Sequence, residues 1–246
     1  MQTEFSYFRA CRVRNSLSAL KKTAFSLLCA LSVLFTVFSL SYAVQTSFVQ
    51  EIILNKCFYF LVAEGENAQA CLASAQLYGG AGYALQYDGN EYAVYACYAD
   101  QQQSENARVN LLKDGRITLI LPRYCDRVYL RTRAQKAQKD KIIGWLCTLD
   151  DCAEALFHSV DGAESGKMSQ SALKNAAKSV EIVLCSLVKS VSSEDDKNIV
   201  LCAKTCAEYS EQLREIADSI VFARDLRRIH AALCDSYLRL ASAYAL

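Results

Sequence analysis

Only two histidines, His158 and His230, occur among the 246 residues. A zinc-type site therefore has few imidazoles to draw on. Each histidine lies inside a helical apolar pattern, with no glycine-rich nucleophile turn and no recognisable Ser/His/Asp order beside it. Two carboxylates placed to flank a cleft, the minimum for glycoside hydrolysis, are also missing. These absences assign no catalytic residue, no metal ligand and no cofactor, so the expected activity is binding without cleavage. A net charge of +1 leaves no basic excess for a phosphate backbone, and nucleic acid is not an expected partner. Proline is nearly absent as well, with a single residue at Pro122. Long segments thus run without the strongest helix breaker.

Cysteine, by contrast, is plentiful. Of the 12 in the chain, those from Cys57 onward sit mostly singly within apolar patterns, such as Cys97 in YAVYACYAD and Cys185 in VEIVLCSLV. In such settings the thiol acts as a small buried hydrophobe, and core packing is the expected role. Cys202 and Cys206 differ, because a spacing of four on a helix puts both thiols on one face. A metal there would need two further ligands.

From Thr23 to Gln50 the sequence contains no charged residue, no glycine and no proline. That run exceeds the roughly 20 apolar residues a helix needs to cross a bilayer, and a transmembrane helix is expected over 23–49. Arg9, Arg12, Arg14, Lys21 and Lys22 precede it. The positive-inside rule then makes 1–22 a cytoplasmic stub and sends the C-terminal domains outside, as in a single-pass protein of the cell membrane. A cleaved signal peptide is the competing reading, with Ser41-Tyr42-Ala43 as the small-x-small cleavage site. Either way the remainder is exported.

Between Cys57 and Tyr124 the patterning alternates between strand and helix. CFYFLVA reads as a strand, ENAQACLASAQLYGG as a helix stopped by a glycine pair, and AGYALQY as a second strand. Asp88-Gly89 is a hairpin turn into EYAVYACYA. DQQQSENARVNLLKDG is a second helix ending at Gly115, and RITLILP a fourth strand. The halves echo one another: Phe58–Ala63 matches Tyr92–Cys97, and the helices begin at Glu66-Asn67-Ala68 and Glu105-Asn106-Ala107. A duplicated unit of this kind closes as a ferredoxin-like βαββαβ sheet with both helices on one face, leaving the other face open.

These residues resemble the SPOR domain, a bacterial peptidoglycan-binding module of two pseudo-repeated β-α-β halves. The likeness is carried by the Phe58–Ala63 strand and its helix start, by Gly82-Tyr83, by Glu91-Tyr92-Ala93-Val94-Tyr95 and by Tyr98-Ala99-Asp100. Phe60 stands where the family often has glutamine, and Cys97 where it has glycine. The resemblance implies binding to peptidoglycan glycan strands stripped of stem peptides, through the open sheet face. Membrane-bound members of the family also carry one N-terminal helix with the domain outside.

Strand alternation independently puts Phe58, Phe60 and Val62 on one side, and places Tyr95 beside Ala93 and Cys97. Tyr83 and Tyr87 flank Gln86 on the neighbouring strand. The candidate glycan-binding residues are therefore Phe58, Phe60, Tyr83, Gln86, Tyr87 and Tyr95, offering aromatic plates and hydrogen-bonding tips to sugar rings. Ordinary sheet core is the alternative role for the same aromatics.

After about residue 134 the chain turns helical. Ile142, Leu146, Leu149, Ala153, Leu156 and Val160 recur at threes and fours, as do Leu173, Ala177, Val180, Leu184, Leu187 and Val191. Ser192-Ser193-Glu194-Asp195-Asp196 signals a new helix start. The segment from there to Leu246 is one very long helix or two joined near Ser219–Ala223. Arg224, Arg227, Arg228 and Arg239 interleave with Asp218, Asp225 and Asp235, the pattern of a solvated face.

The expected fold class is α+β: an N-terminal transmembrane helix (23–49), a ferredoxin-like, SPOR-like sheet domain (50–130) and a C-terminal antiparallel helical bundle (134–246). The expected function is a membrane-anchored, extracytoplasmic protein that binds and positions peptidoglycan in bacterial cell division, sporulation or envelope remodelling, with envelope proteins as further partners. The alternative is a membrane-anchored interaction or scaffold protein whose SPOR-like fold binds no glycan.

Overall fold

The computed structural model describes residues 49–63, 68–131, 136–192 and 195–245. The described residues form four strands and six helices in the order β1 (Val49–Ala63), α1 (Ala68–Leu77), β2 (Tyr83–Tyr87), β3 (Asn90–Tyr98), α2 (Gln101–Lys113), β4 (Thr118–Arg131), α3 (Lys136–Glu164), α4 (Gln170–Lys189), α5 (Lys197–Asp218) and α6 (Ala223–Ser242). The Glu66-Asn67 helix start and Ser193-Glu194 of the later start signal lie outside the described residues.

Local chemistry explains most of the boundaries. Asp88 and Gly89 both take positive φ, the mirror-image turn that matches the twist of a two-residue hairpin between β2 and β3. Asp100 caps α2 by accepting the Gln103 N–H at 2.8 Å, and Gly115 ends it in the left-handed region. Asp196 caps α5 through the Asn198 N–H. The long C-terminal pattern breaks after Asp218, where Gln170 at the start of α4 donates to the Val221 carbonyl at 2.9 Å and accepts the Val221 N–H at 3.2 Å. Those two bonds take the place of the helical ladder at the break, so α5 and α6 are separate helices.

The sheet order is β2-β3-β1-β4, antiparallel throughout, the order in which two β-α-β halves interlock. β1 reaches farther back than the CFYFLVA run, because Val49–Ile53 pair with Arg127–Arg131 of β4. A register shift near Asn55, which has positive φ, separates this outer ribbon from the inner pairs. A second shift lies between Leu61 and Val62, where Leu61 faces Ala96 and Val62 faces Val94. The bulged strand thereby turns Val94 and Cys97 to the same face.

That face is not open. Phe58, Phe60, Val62, Leu85, Val94 and Cys97 join Leu226, Ile229, Leu233 and Tyr237 of α6 in one hydrophobic core, which continues through Ile142, Trp145 and Leu149 of α3 into α4 and α5. A sheet face this apolar must be covered, and the chain supplies its own cover. Residues on both sides of the 131–134 junction share this core, and Val49–Leu246 form one compact unit. Lys56 of β1 also reaches across to Asp150 of α3 at 2.6 Å.

The expected membrane placement is corrected by the same elements. Among the described residues no helix is long and apolar enough to cross a membrane. The four long helices, α3 to α6, carry charge at short intervals: the most apolar stretch of α4, around Val180–Val188, is bracketed by Lys178 and Lys189 and interrupted by Glu181. Val49, the last residue of the expected span, begins a strand instead. The stub 1–22, the rest of the 23–49 run and the Ser41-Tyr42-Ala43 motif lie outside the described residues. The fold class of the described chain is thus an antiparallel α+β sheet with six helices and no transmembrane helix among them, and the single-pass cell-membrane localisation is not retained.

Candidate functional site

The six residues expected to face a glycan are distributed over three environments. Phe58 and Phe60 lie in the core beneath α6, where Phe58 meets the Tyr237 ring edge-on at 5.6 Å between centroids. Tyr95 is also buried, with its ring so close to Gly80 that a Cβ there would stand 2.8 Å from it. Gln86 and Tyr87 are exposed at the hairpin: Gln86 donates to Glu91, and the Arg123 guanidinium sits 4.5 Å from the Tyr87 ring centroid. Tyr83 alone points into a polar constellation.

Its centre is Asp235 of α6, whose side chain is 1% exposed. Tyr83 of β2 donates to Oδ2 at 2.8 Å and Arg239, one turn along α6, donates to the same oxygen at 2.7 Å. Arg123 of β4 approaches Oδ1 at 3.5 Å. A carboxylate this deep is tolerated only when paired, and here two guanidiniums answer one negative charge. Burial first, then the Asp235 charge, push the Tyr83 phenol far above its ordinary value, so it stays protonated and donates. Tyr209 of α5, raised mainly by burial, shares a cavity wall with Tyr83, Asp235 and Ser236 and extends the polar group.

Beside the network is a cavity of about 180 Å³ between α5 and α6. Its walls combine the polar ends of Tyr209, Asn198, Thr205 and Arg239 with the apolar surfaces of Leu201 and Leu240. The Arg239 side chain is 58% exposed and lines the cavity, whereas Arg123 is only 14% exposed. Cys202 also lines the cavity, one helical turn from Cys206 on α5. Among the described residues no group of three or more His, Cys, Asp and Glu side chains gathers to hold a metal. His158 is exposed beside Glu154, and His230 is buried.

Arg123, Tyr209, Asp235 and Arg239 were not expected as site residues. Asp235 and Arg239 belong to a charge pattern that reads as a solvated face, and the structure corrects this for Asp235, which is enclosed between α6 and the sheet. The available signal was the run IHAALCDSYL, apolar almost all round the helix except for one acid. Such a helix is buried, and a buried acid needs named partners. Comparison with protein-family models, curated proteins and solved structures gives no match.

Proposed function

We propose that this chain is a non-catalytic binding protein that holds a small organic monoanion, a carboxylate on a ring-sized apolar body, in the cavity between α5 and α6. The observation carrying this reading is the charge balance at Asp235: two guanidiniums share one buried carboxylate, and the more exposed one, Arg239, opens on the cavity. One positive charge is left to be answered, and a guanidinium suits a carboxylate. Leu201 and Leu240 supply an apolar wall, and the Tyr209 and Thr205 hydroxyls flank it. A cavity near 150 Å³ is known to accept a benzene-sized guest, so the volume suits one ring and no more. Pockets with a few convergent polar groups in an apolar lining are the usual form of ligand sites.

The peptidoglycan reading has less to rest on, because Phe58 and Phe60 are covered by α6 and Tyr95 is buried, leaving Gln86 and Tyr87 as the exposed members of the set. One experiment separates the two. The full chain is titrated with benzoate, benzamide and benzylamine, with thermal unfolding as the readout, and in parallel is sedimented with peptidoglycan sacculi with and without stem peptides. Benzoate alone raising Tm, an effect lost in Arg239→Gln, supports the anion site. Equal shifts with benzamide, or no shift with any ligand, overturn it. Sedimentation with stripped sacculi that disappears in Tyr87→Ala moves the function to glycan binding at the hairpin.

A further inference from the structure

Away from this cavity, the sheet and α6 meet at a second group of reactive side chains. Cys97 of β3 pairs in register with Phe60, and the bulge opposite Leu61 and Val62 turns its side chain toward α6. Cys234 of α6 is fully buried in the same core, and each of the two thiols bears on the other's protonation. His230, one turn earlier on α6, brings Nε2 to 3.5 Å from the Cys234 sulfur. A pocket of about 80 Å³ reaches this group, with Cys97 and His230 in its wall beside Tyr98 and Phe157. Three of the four groups needed for thiol oxidation are therefore gathered at one place: two sulfurs and a base, with an opening to the fourth.

We propose that Cys97 and Cys234 are a redox pair that a small hydroperoxide converts into a disulfide joining β3 to α6. The size of the opening selects the oxidant. A water molecule occupies about 30 Å³ of liquid, so the pocket admits a molecule of hydrogen peroxide's size and excludes a tripeptide disulfide. Proton positions place the resting thiolate at Cys234, and a proton passed to it from Cys97 gives the pocket wall the more nucleophilic thiolate of the two. Burial pushes the Cys97 thiol up; at Cys234 burial acts the same way but is outweighed by Cys97 and by His230, which bring that thiol below its ordinary range.

The Cys234 proton moves to His230, and the Cys97 proton moves to Cys234. The Cys97 thiolate on the pocket wall then attacks one peroxide oxygen. An S–O bond forms, the O–O bond breaks, and the departing hydroxide takes the proton from His230 as water. Cys234 next attacks the Cys97 sulfenic sulfur. The S–S bond forms, the S–O bond breaks, and hydroxide leaves with the Cys234 proton as a second water. Two thiols lose two electrons in all, and one peroxide is reduced to two waters.

The test uses the full chain, freed of reductant and treated with one equivalent of hydrogen peroxide, then unfolded with N-ethylmaleimide and digested for mass spectrometry. The expected product is a peptide pair linked through Cys97 and Cys234, lighter by two hydrogens and unlabelled at both sites, which dithiothreitol separates. Formation slows at least tenfold in His230→Gln, whose folding is checked by the fluorescence of the lone tryptophan, Trp145. Both cysteines fully labelled by N-ethylmaleimide after peroxide overturns the proposal, as does a link between Cys202 and Cys206 in place of 97–234. Because the linkage is read on the unmodified sequence, the outcome does not depend on any variant folding. An oxidised glutathione arm reports on access: a 97–234 link formed as fast with glutathione disulfide as with peroxide refutes the size selection.

Discussion

Replacing Asp235 with asparagine isolates the charge at the centre of the polar network while keeping its shape. Asparagine still accepts from Tyr83, but it offers no negative charge to Arg123, which is 14% exposed, or to Arg239, which is 58% exposed. Arg239 can turn to water, so its share is that of a surface pair, below about 1 kcal/mol. Arg123 stays enclosed, and removing one partner of a buried pair costs about 3–5 kcal/mol. Its contact with the Tyr87 ring is present in both proteins and cancels in the difference. The expected loss for Asp235→Asn is therefore about 3–5 kcal/mol. Trp145, buried in α3 and the only tryptophan, reports unfolding of this core by fluorescence. With a urea slope of about 2 kcal/mol/M, the midpoint falls by about 1.5–2.5 M. Arg239→Ala falls far less. A midpoint for Asp235→Asn within experimental scatter of the unmodified chain, or an equal drop for Arg239→Ala, refutes the assignment of Asp235 as an enclosed, two-cation carboxylate.

Phe60→Ala empties a position with no solvent exposure beneath α6 and is expected to cost about 3–5 kcal/mol in the same urea assay, against under about 1 kcal/mol for Tyr87→Ala at the hairpin; equal costs would mean the sheet face is not a core. Asp195 accepts from Lys141 at 2.5 Å and from the Ser192 N–H at 2.6 Å, and these contacts, Lys141 foremost, hold its carboxyl below the ordinary value. Its contribution is present above the unfolded carboxylate value of about 3.9 and is lost as pH falls through the lower folded value. Asp195→Asn should accordingly lower the urea midpoint at pH 6 and much less at pH 2.5; an equal deficit at both values rules the ion pair out as its source.

Those residues also mark where local pattern suffices and where it does not. Ile142, Leu146, Leu149, Leu156, Leu173, Ala177, Val180 and Leu184 were legible from their spacing alone, and all are buried. Asp88-Gly89 and the stop at Gly115 were legible because turn and helix-end chemistry is written in adjacent residues. The outer half of β1 was not: its partner is the far end of β4, and a pairing between residues some 70–80 positions apart leaves no trace in a short window. An uncharged run from Thr23 to Gln50 therefore read as one helix, and Val49 was absorbed into it. The candidate site was hidden for a related reason. Tyr83, Arg123, Tyr209 and Asp235 come from four elements, and only Tyr83 drew notice, as an aromatic in a strand. Asp235 and Arg239, four apart, look on a helical net like any exposed pair; the difference lies in what covers α6, which is the sheet on one side and α3 and α5 on the other.

That position of α6 carries a cost during synthesis. Every other described element leaves the ribosome before it, and until it arrives the sheet can pair its strands but presents Phe58, Phe60, Val62 and Leu85 bare, opposite helices α3 to α5 that also lack their central partner. The nascent chain therefore passes through a stage in which two apolar surfaces wait for the same helix, the stage at which a chaperone would bind and a protease would cut.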